Sequence, residues 1–135
     1  ETLNGKDRIW IFNTHFDHIG VNAREQSAKL IINKINKLTK PGDYIILTGD
    51  FNLSDSSSPI INLQRNFNDT NKALQKTDKL YGTFNNFKLN FISKKRIDYV
   101  FEKNFKLINS AHIEVKTPSG RWASDHNPVL AKLKF

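Results

Sequence analysis

The chain has no cysteine among its 135 residues. Disulfides and thiolate metal sites are thereby excluded, so any metal must be held by oxygen or imidazole ligands. Long apolar runs are missing too. The longest candidates, such as Tyr44 to Leu47, fall far short of the roughly 18 to 20 residues that a membrane span requires, and no membrane span is expected. There is no internal repeat, no low-complexity tract beyond the serines of Ser54 to Ser58, and no interdomain linker. A length of 135 residues with a hydrophobic fraction of 38% suits one folded unit covering residues 1–135.

What the chain does have is positive charge, and it is unevenly placed. The formal charge is +8; residues 1–70 carry eight basic and eight acidic groups, residues 71–135 thirteen and five. An asymmetry of this kind attracts a polyanion such as nucleic acid, an anionic phosphate substrate or a membrane surface. It equally suits a solvated, lysine-rich surface.

Arg8 to Thr14 is aromatic and β-branched without a breaker, which predicts a buried strand ending at Asn13, Thr14 and His15. From Asn22 to Leu38 the apolar residues Ala28, Leu30, Ile31, Ile32, Ile35 and Leu38 fall mainly on one helical stripe, and Pro41 and Gly42 end the helix. Tyr44 to Thr48 is a second apolar run, giving a strand–helix–strand passage. Ser58 before Pro59 marks the start of a short helix to about Gln64, Ser as N-cap and Pro at the first position. Asn66 to Lys79 reads as irregular, and Arg96–Phe101, Leu107–Val115 and Pro128–Phe135 as strands, the last alternating Val129, Ala131 and Leu133 against Leu130, Lys132 and Lys134. The class is α/β with a mixed sheet flanked by helices.

Polar clusters sit mostly where these apolar runs stop: Asn13-Thr14-His15-Phe16-Asp17-His18, Gly49-Asp50-Phe51-Asn52, Thr83-Phe84-Asn85, Arg96-Ile97-Asp98-Tyr99 and Ser124-Asp125-His126-Asn127-Pro128. Each alone is an ordinary turn. In this order NTHFDH, GDFN, RIDYVF and SDHNPV resemble the C-terminal motifs of the endonuclease/exonuclease/phosphatase superfamily, over nearly the whole chain. The resemblance implies half of a DNase I-like two-sheet α/β sandwich, with the N-terminal half, and the Asn and metal-binding Glu it supplies in the family, absent.

It also implies a site. His15, Asp50, Asn52, Asp98, Asp125 and His126 would converge at one edge of the sandwich to hydrolyse a phosphate ester. Asp50 would orient and activate the water and touch metal. Asn52 and His15 would donate to phosphate oxygens, and Asp98 would fix the tautomer of His126 so that its other nitrogen faces phosphate. Asp125 would contact the metal, and hard ligands without thiols favour Mg²⁺ or Mn²⁺. Asp17 and His18 stand between site support and loop structure, Asn13 supports the site from its strand end, and Arg24 points to substrate or solvent. Thr83, Phe84 and Asn85 resemble a family segment near the substrate mouth, but read first as core.

Lys88, Lys94, Lys95, Arg96, Lys103 and Lys106 are expected to form a basic rim that tracks a phosphate backbone if the substrate is a nucleic acid. Two rivals remain. A dinuclear metallohydrolase would need a His-x-His string, but Asn13 stands at its first position. A catalytically inactive polyanion- or nucleic-acid-binding module would use the same charge without the chemistry. A half-sandwich further implies an apolar sheet face drawn from Ile9–Phe12 and Tyr44–Leu47, covered by the N-terminal segment or by a second copy. Bare, it would forgo ~10 kcal/mol or more at ~25 cal/mol per Å².

Overall fold

The computed structural model describes residues 8–72, 81–89 and 92–135. Its elements are β1 (Ile9–His15), α1 (Val21–Leu38), β2 (Tyr44–Asp50), α2 (Ser58–Asn66), β3 (Asn68–Asp69), β4 (Asp98–Lys103), β5 (Lys106–His112) and β6 (Val129–Lys134). A four-stranded sheet runs β1-β2-β4-β3 and a two-stranded sheet pairs β5 with β6. β1 and β2 are parallel, joined through α1, while β4 lies antiparallel to β2 and to β3. The expected mixed sheet is thus present. The stretch expected to be irregular contains β3, and its residues 73–79 lie outside the described residues.

The strand–helix turn is tied by side chains. Thr39 returns both its backbone N–H and its hydroxyl to Ile35 O, closing α1. Asp43 Oδ2 then accepts from Lys40 N and from Trp10 Nε1 of β1, each at 2.9 Å. Helix α1 buries Ala28, Ile32 and Ile35, whereas Leu30 (58% exposed) and Leu38 (51%) face outward, so its apolar stripe is narrower than the sequence suggests.

Alternation divides the main sheet into two faces. Leu47 of β2 and Tyr99 and Phe101 of β4 pack with Ile60 and Leu63 of α2 in the core, where Phe51 meets Phe16, Tyr99 and Phe101 edge to face at 4.9, 5.6 and 5.5 Å between ring centres. The opposite face presents Ile11, Asn13 and His15 of β1 beside Ile46, Thr48 and Asp50 of β2. The β5–β6 hairpin crosses this second face: His126, just before β6, reaches Asp98, and Phe135, just after it, meets Tyr44 edge to face. On β6, Val129, Ala131 and Leu133 are half-buried and the alternate residues exposed, as the alternation predicts. Ile11 on the second face remains 70% exposed.

At the end of β2 the chain must come close to β1. Gly49 stands opposite Thr14, and its α-carbon lies where any Cβ would strike the Thr14 carbonyl. Only glycine allows the two strands to finish side by side.

Candidate active site

Register alone assembles the first row of the site. His15 pairs with Asp50 across β1–β2, and Asp50 pairs with Asp98 across β2–β4, so three polar residues stand side by side on three strands, pointing to one face. Phe51, fully buried on the other face, anchors the chain between Asp50 and Asn52. Asn52 takes φ 50, a left-handed turn that Asn tolerates, and its N–H donates to Asp50 Oδ1 at 2.8 Å. Its side-chain Nδ2 donates to Phe16 O at 3.0 Å and lies 3.2 Å from His15 Nε2.

His126 joins from the loop before β6. Its Nδ1 donates to Asp98 Oδ2 at 2.8 Å, leaving Nε2 turned toward Asp50 Oδ2 at 4.0 Å; His15 Nε2 lies 3.4 Å from the same oxygen. The pairing of Asp98 with His126 expected from the sequence is therefore made. Asp50, Asp98 and His126 offer ligand atoms all within 4.8 Å of one another, two carboxylates and an imidazole. This donor set suits a hard divalent cation that keeps part of its water shell. Asp125 lies outside that group of three; its carbonyl accepts from Asn85 N at 2.8 Å.

The charges of the pair are shaped by burial and by each other. Burial pushes the Asp98 carboxyl above its ordinary value, against the hydrogen bonds of Thr83 and His126, and the Asp50 charge adds to the rise. For His126 burial favours the neutral ring, but the Asp98 hydrogen bond and the charges of Asp98, Asp50 and Asp125 outweigh it and hold the imidazolium above the ordinary 6.5. A raised histidine contributes stability that is complete below its unfolded value and is lost as pH rises through the folded one. In protein free of divalent metal, NMR titration of His126 should therefore give a value above 6.5, and Asp98→Asn should lower it. An unchanged titration in Asp98→Asn would mean that Asp98 does not carry the shift.

The segment read first as core is indeed buried at Thr83 and Asn85, and it also supports the site. Thr83 is fully buried, and its Oγ1 accepts the N–H groups of Ile97 at 3.0 Å and Asp98 at 3.1 Å, while its carbonyl accepts Asn127 N at 2.6 Å. Asn85, 1% exposed, donates to Ser124 O and Asn127 Oδ1, each at 3.0 Å. Between them Phe84 packs edge to face on the His126 ring at 5.1 Å. These residues bolt the His126 loop to β4. Their polarity amid an aromatic stretch was the available signal.

Of the remaining candidates, Asn13 accepts from Thr48 Oγ1 at 3.0 Å, and Asp17 Oδ1 accepts from the N–H groups of Ile19 and Gly20 at 2.6 Å, which keep its carboxyl below the usual range. Arg24 donates to Asp17 O at 3.2 Å, bracing the same loop. A cleft of about 640 Å³ opens over the site, lined by His15, Asp50, Asn52 and His126 together with His18, Phe84 and Lys94 to Ile97.

The expected rim contracts. Arg96 is 2% exposed, ion-paired with the fully buried carboxylate of Asp69 and stacked over Tyr99 at 4.6 Å. Lys103 pairs with Ile45 at the far end of β4 from Asp98, and Lys106 follows it, so neither borders the cleft. Lysine charge in a sequence does not say to which end of a strand it falls.

Comparison with known proteins agrees with this fold. Mannosyl-6-phosphatase of Bacteroides thetaiotaomicron superposes with a TM-score of 0.78 at 31% identity, over 93% of this chain and 51% of that one. TDP2 of D. rerio, solved with a single-strand DNA product, superposes with a TM-score of 0.66 at 19% identity, over 93% of this chain and 56% of that one, a likeness of fold. Among curated sequences, uncharacterized protein L388 of Acanthamoeba polyphaga mimivirus is 35% identical over 77 residues, 57% of this chain and 28% of its own length. The chain thus spans about half of the Bacteroides enzyme and less of the viral protein. The sequence pattern of the Endonuclease/Exonuclease/phosphatase family matches residues 3–126, and with the mixed sheet and the Asp50–Asp98–His126 group this establishes that the chain belongs to that family.

Proposed function

We propose that this chain is the C-terminal portion of a divalent-metal-dependent phosphoesterase, hydrolysing a phosphate monoester or diester by in-line attack of water on phosphorus. The observation that supports this best is the convergence of His15, Asp50, Asn52 and the Asp98–His126 pair on one cleft. One of the relatives is a phosphatase by name, and another was solved with a DNA product.

In this reading Asp50 orients the attacking water and accepts its proton. Its Oδ1 is fixed by Asn52 N, which leaves Oδ2 for the water. Asn52 is an uncharged donor and brings no repulsion to a phosphate oxygen. His15, beside it, and the imidazolium of His126 place positive charge where negative charge develops in the transition state. Asp98 acts through His126, fixing the ring so that Nε2 faces the phosphate. Asp50, with Asp125 as a further contact directly or through water, would hold Mg²⁺ or Mn²⁺, which would supply positive charge to the phosphate oxygens. The rest of the domain, from an N-terminal segment, would cover Ile11 and its neighbours and complete the metal site.

Turnover of p-nitrophenyl phosphate and of its bis-ester by the full natural protein tests this. Hydrolysis should require Mg²⁺ or Mn²⁺ and disappear in Asp50→Asn. Hydrolysis that survives chelation, or Asp50→Asn at full rate, would overturn it; polyanion binding without any turnover would favour the non-catalytic module.

A further inference from the structure

Thr83 meets both members of the Asp98–His126 pair, through separate atoms. Its Oγ1 accepts Ile97 N at 3.0 Å and Asp98 N at 3.1 Å, where β4 begins, and its carbonyl accepts Asn127 N at 2.6 Å, one residue beyond His126. Its own N–H donates to Lys95 O at 2.8 Å, so the backbone is held on both sides. Gly82, just before it, lies too close to Ser93 for any Cβ to fit, and its carbonyl accepts Asn127 Nδ2 at 3.2 Å. The Thr83 side chain is thus fixed at the joint between β4 and the His126 loop, closed to solvent.

A hydroxyl has two lone pairs and one hydrogen. Both lone pairs are occupied here by backbone N–H groups, and only the hydrogen is left to place. The Asp98 carboxylate takes it: burial raises the Asp98 carboxyl, and the Thr83 hydrogen bond opposes that rise ahead of the one from His126. Held by His126 Nδ1 alone, at 2.8 Å, the carboxylate could turn about that single contact. A second donor from a rigid backbone sets the direction in which it holds the ring. A residue needed only to fill this space and to tie loops by its backbone could as well be valine, which has the same shape.

We propose that Thr83 is a positioning residue for the hydrolysis, its hydroxyl orienting the Asp98 carboxylate and, through it, the His126 ring. It touches no substrate, and it rests on the phosphoesterase reading of the cleft.

The test uses the full natural protein with p-nitrophenyl phosphate and its bis-ester. Thr83→Ser keeps the hydroxyl and Thr83→Val keeps the shape. In Thr83→Val kcat should fall by about tenfold or more with KM little changed, while Thr83→Ser should stay within about threefold of wild type. Because the hydroxyl acts through Asp98, Thr83→Val should cost little more once Asp98→Asn is present, so the two losses do not multiply. Equal losses in the serine and valine variants, or losses that multiply in the double variant, overturn the proposal. A measurement on the unaltered protein serves where valine prevents folding: in mixed H₂O and D₂O the Asp98 carboxyl carbon should show an NMR isotope shift from each of two donors, Thr83 and His126, and a single shift overturns the bond. Absence of turnover in the wild type defeats the phosphoesterase reading instead. Positioning is then read from the NMR signal of the His126 Nδ1 proton, which should move in Thr83→Val and stay in Thr83→Ser; a signal that valine leaves in place counts against Thr83.

Discussion

Asp50→Ala and His126→Ala are each expected to lower kcat/KM for phosphate-ester hydrolysis by on the order of 100-fold or more, the usual consequence of removing one preorganised group from a transition state. The two residues face each other across 4.0 Å and are placed independently, Asp50 by the end of β2 and His126 by the loop that Thr83 and Asn85 secure. Asp98→Asn should be milder than His126→Ala, because the imidazole remains and loses only a charged partner. Steady-state rates on the full natural protein decide the matter. Wild-type rates in either alanine variant would remove that residue from the chemistry, and full activity in Asp98→Asn would break the link between Asp98 and His126.

The largest effect on stability is expected at Asp69→Ala. Its carboxylate is fully buried, where it meets the 2% exposed guanidinium of Arg96, the side chain of Gln64 at 3.2 Å and the N–H of Asn71 at 3.1 Å. Removing it strands a buried charge, which costs about 3–5 kcal/mol. A domain of this kind holds only ~5–15 kcal/mol in all, so the variant should lose a large share of its stability. Urea denaturation measures the loss. The double variant Asp69→Ala, Arg96→Met should recover part of it, since no charge is then left unpaired. A loss below ~1 kcal/mol in the single variant would mean that the pair does not hold this corner of the fold.

The readable parts of this chain were those where one local signal dominates. β1 and β2 announce themselves by apolar runs, α1 by its helical stripe and Pro41-Gly42, and α2 by Ser58-Pro59, so their ends lie within a residue or two of expectation. The site was readable for a related reason: His15, Asp50 and Asp98 stand where strands stop, and a strand end is where a side chain can face both sheet and solvent.

What escaped depended on distant partners. The two-residue β3 has no strand propensity in Asn68-Asp69 and exists because Phe101 and Glu102 pair with it. Arg96 looked like a surface cation until Asp69, 27 residues away, accounted for its burial. Thr83 and Asn85 hold loops by hydrogen bonds across 14 to 42 residues, which no periodicity encodes.

Those separations also set the order in which the molecule can come together. Asn52 meets His15 across 37 residues and His126 meets Asp98 across 28, so the contacts that join the separate strands at the cleft close long loops. Helix α1 needs only its own neighbours, while the chemistry has no local precursor. Each closure is entropically unfavourable until the strands on either side are already paired. A chain with only its helices formed therefore has no cleft, which needs the pairing of β1, β2 and β4 and the docking of the His126 loop.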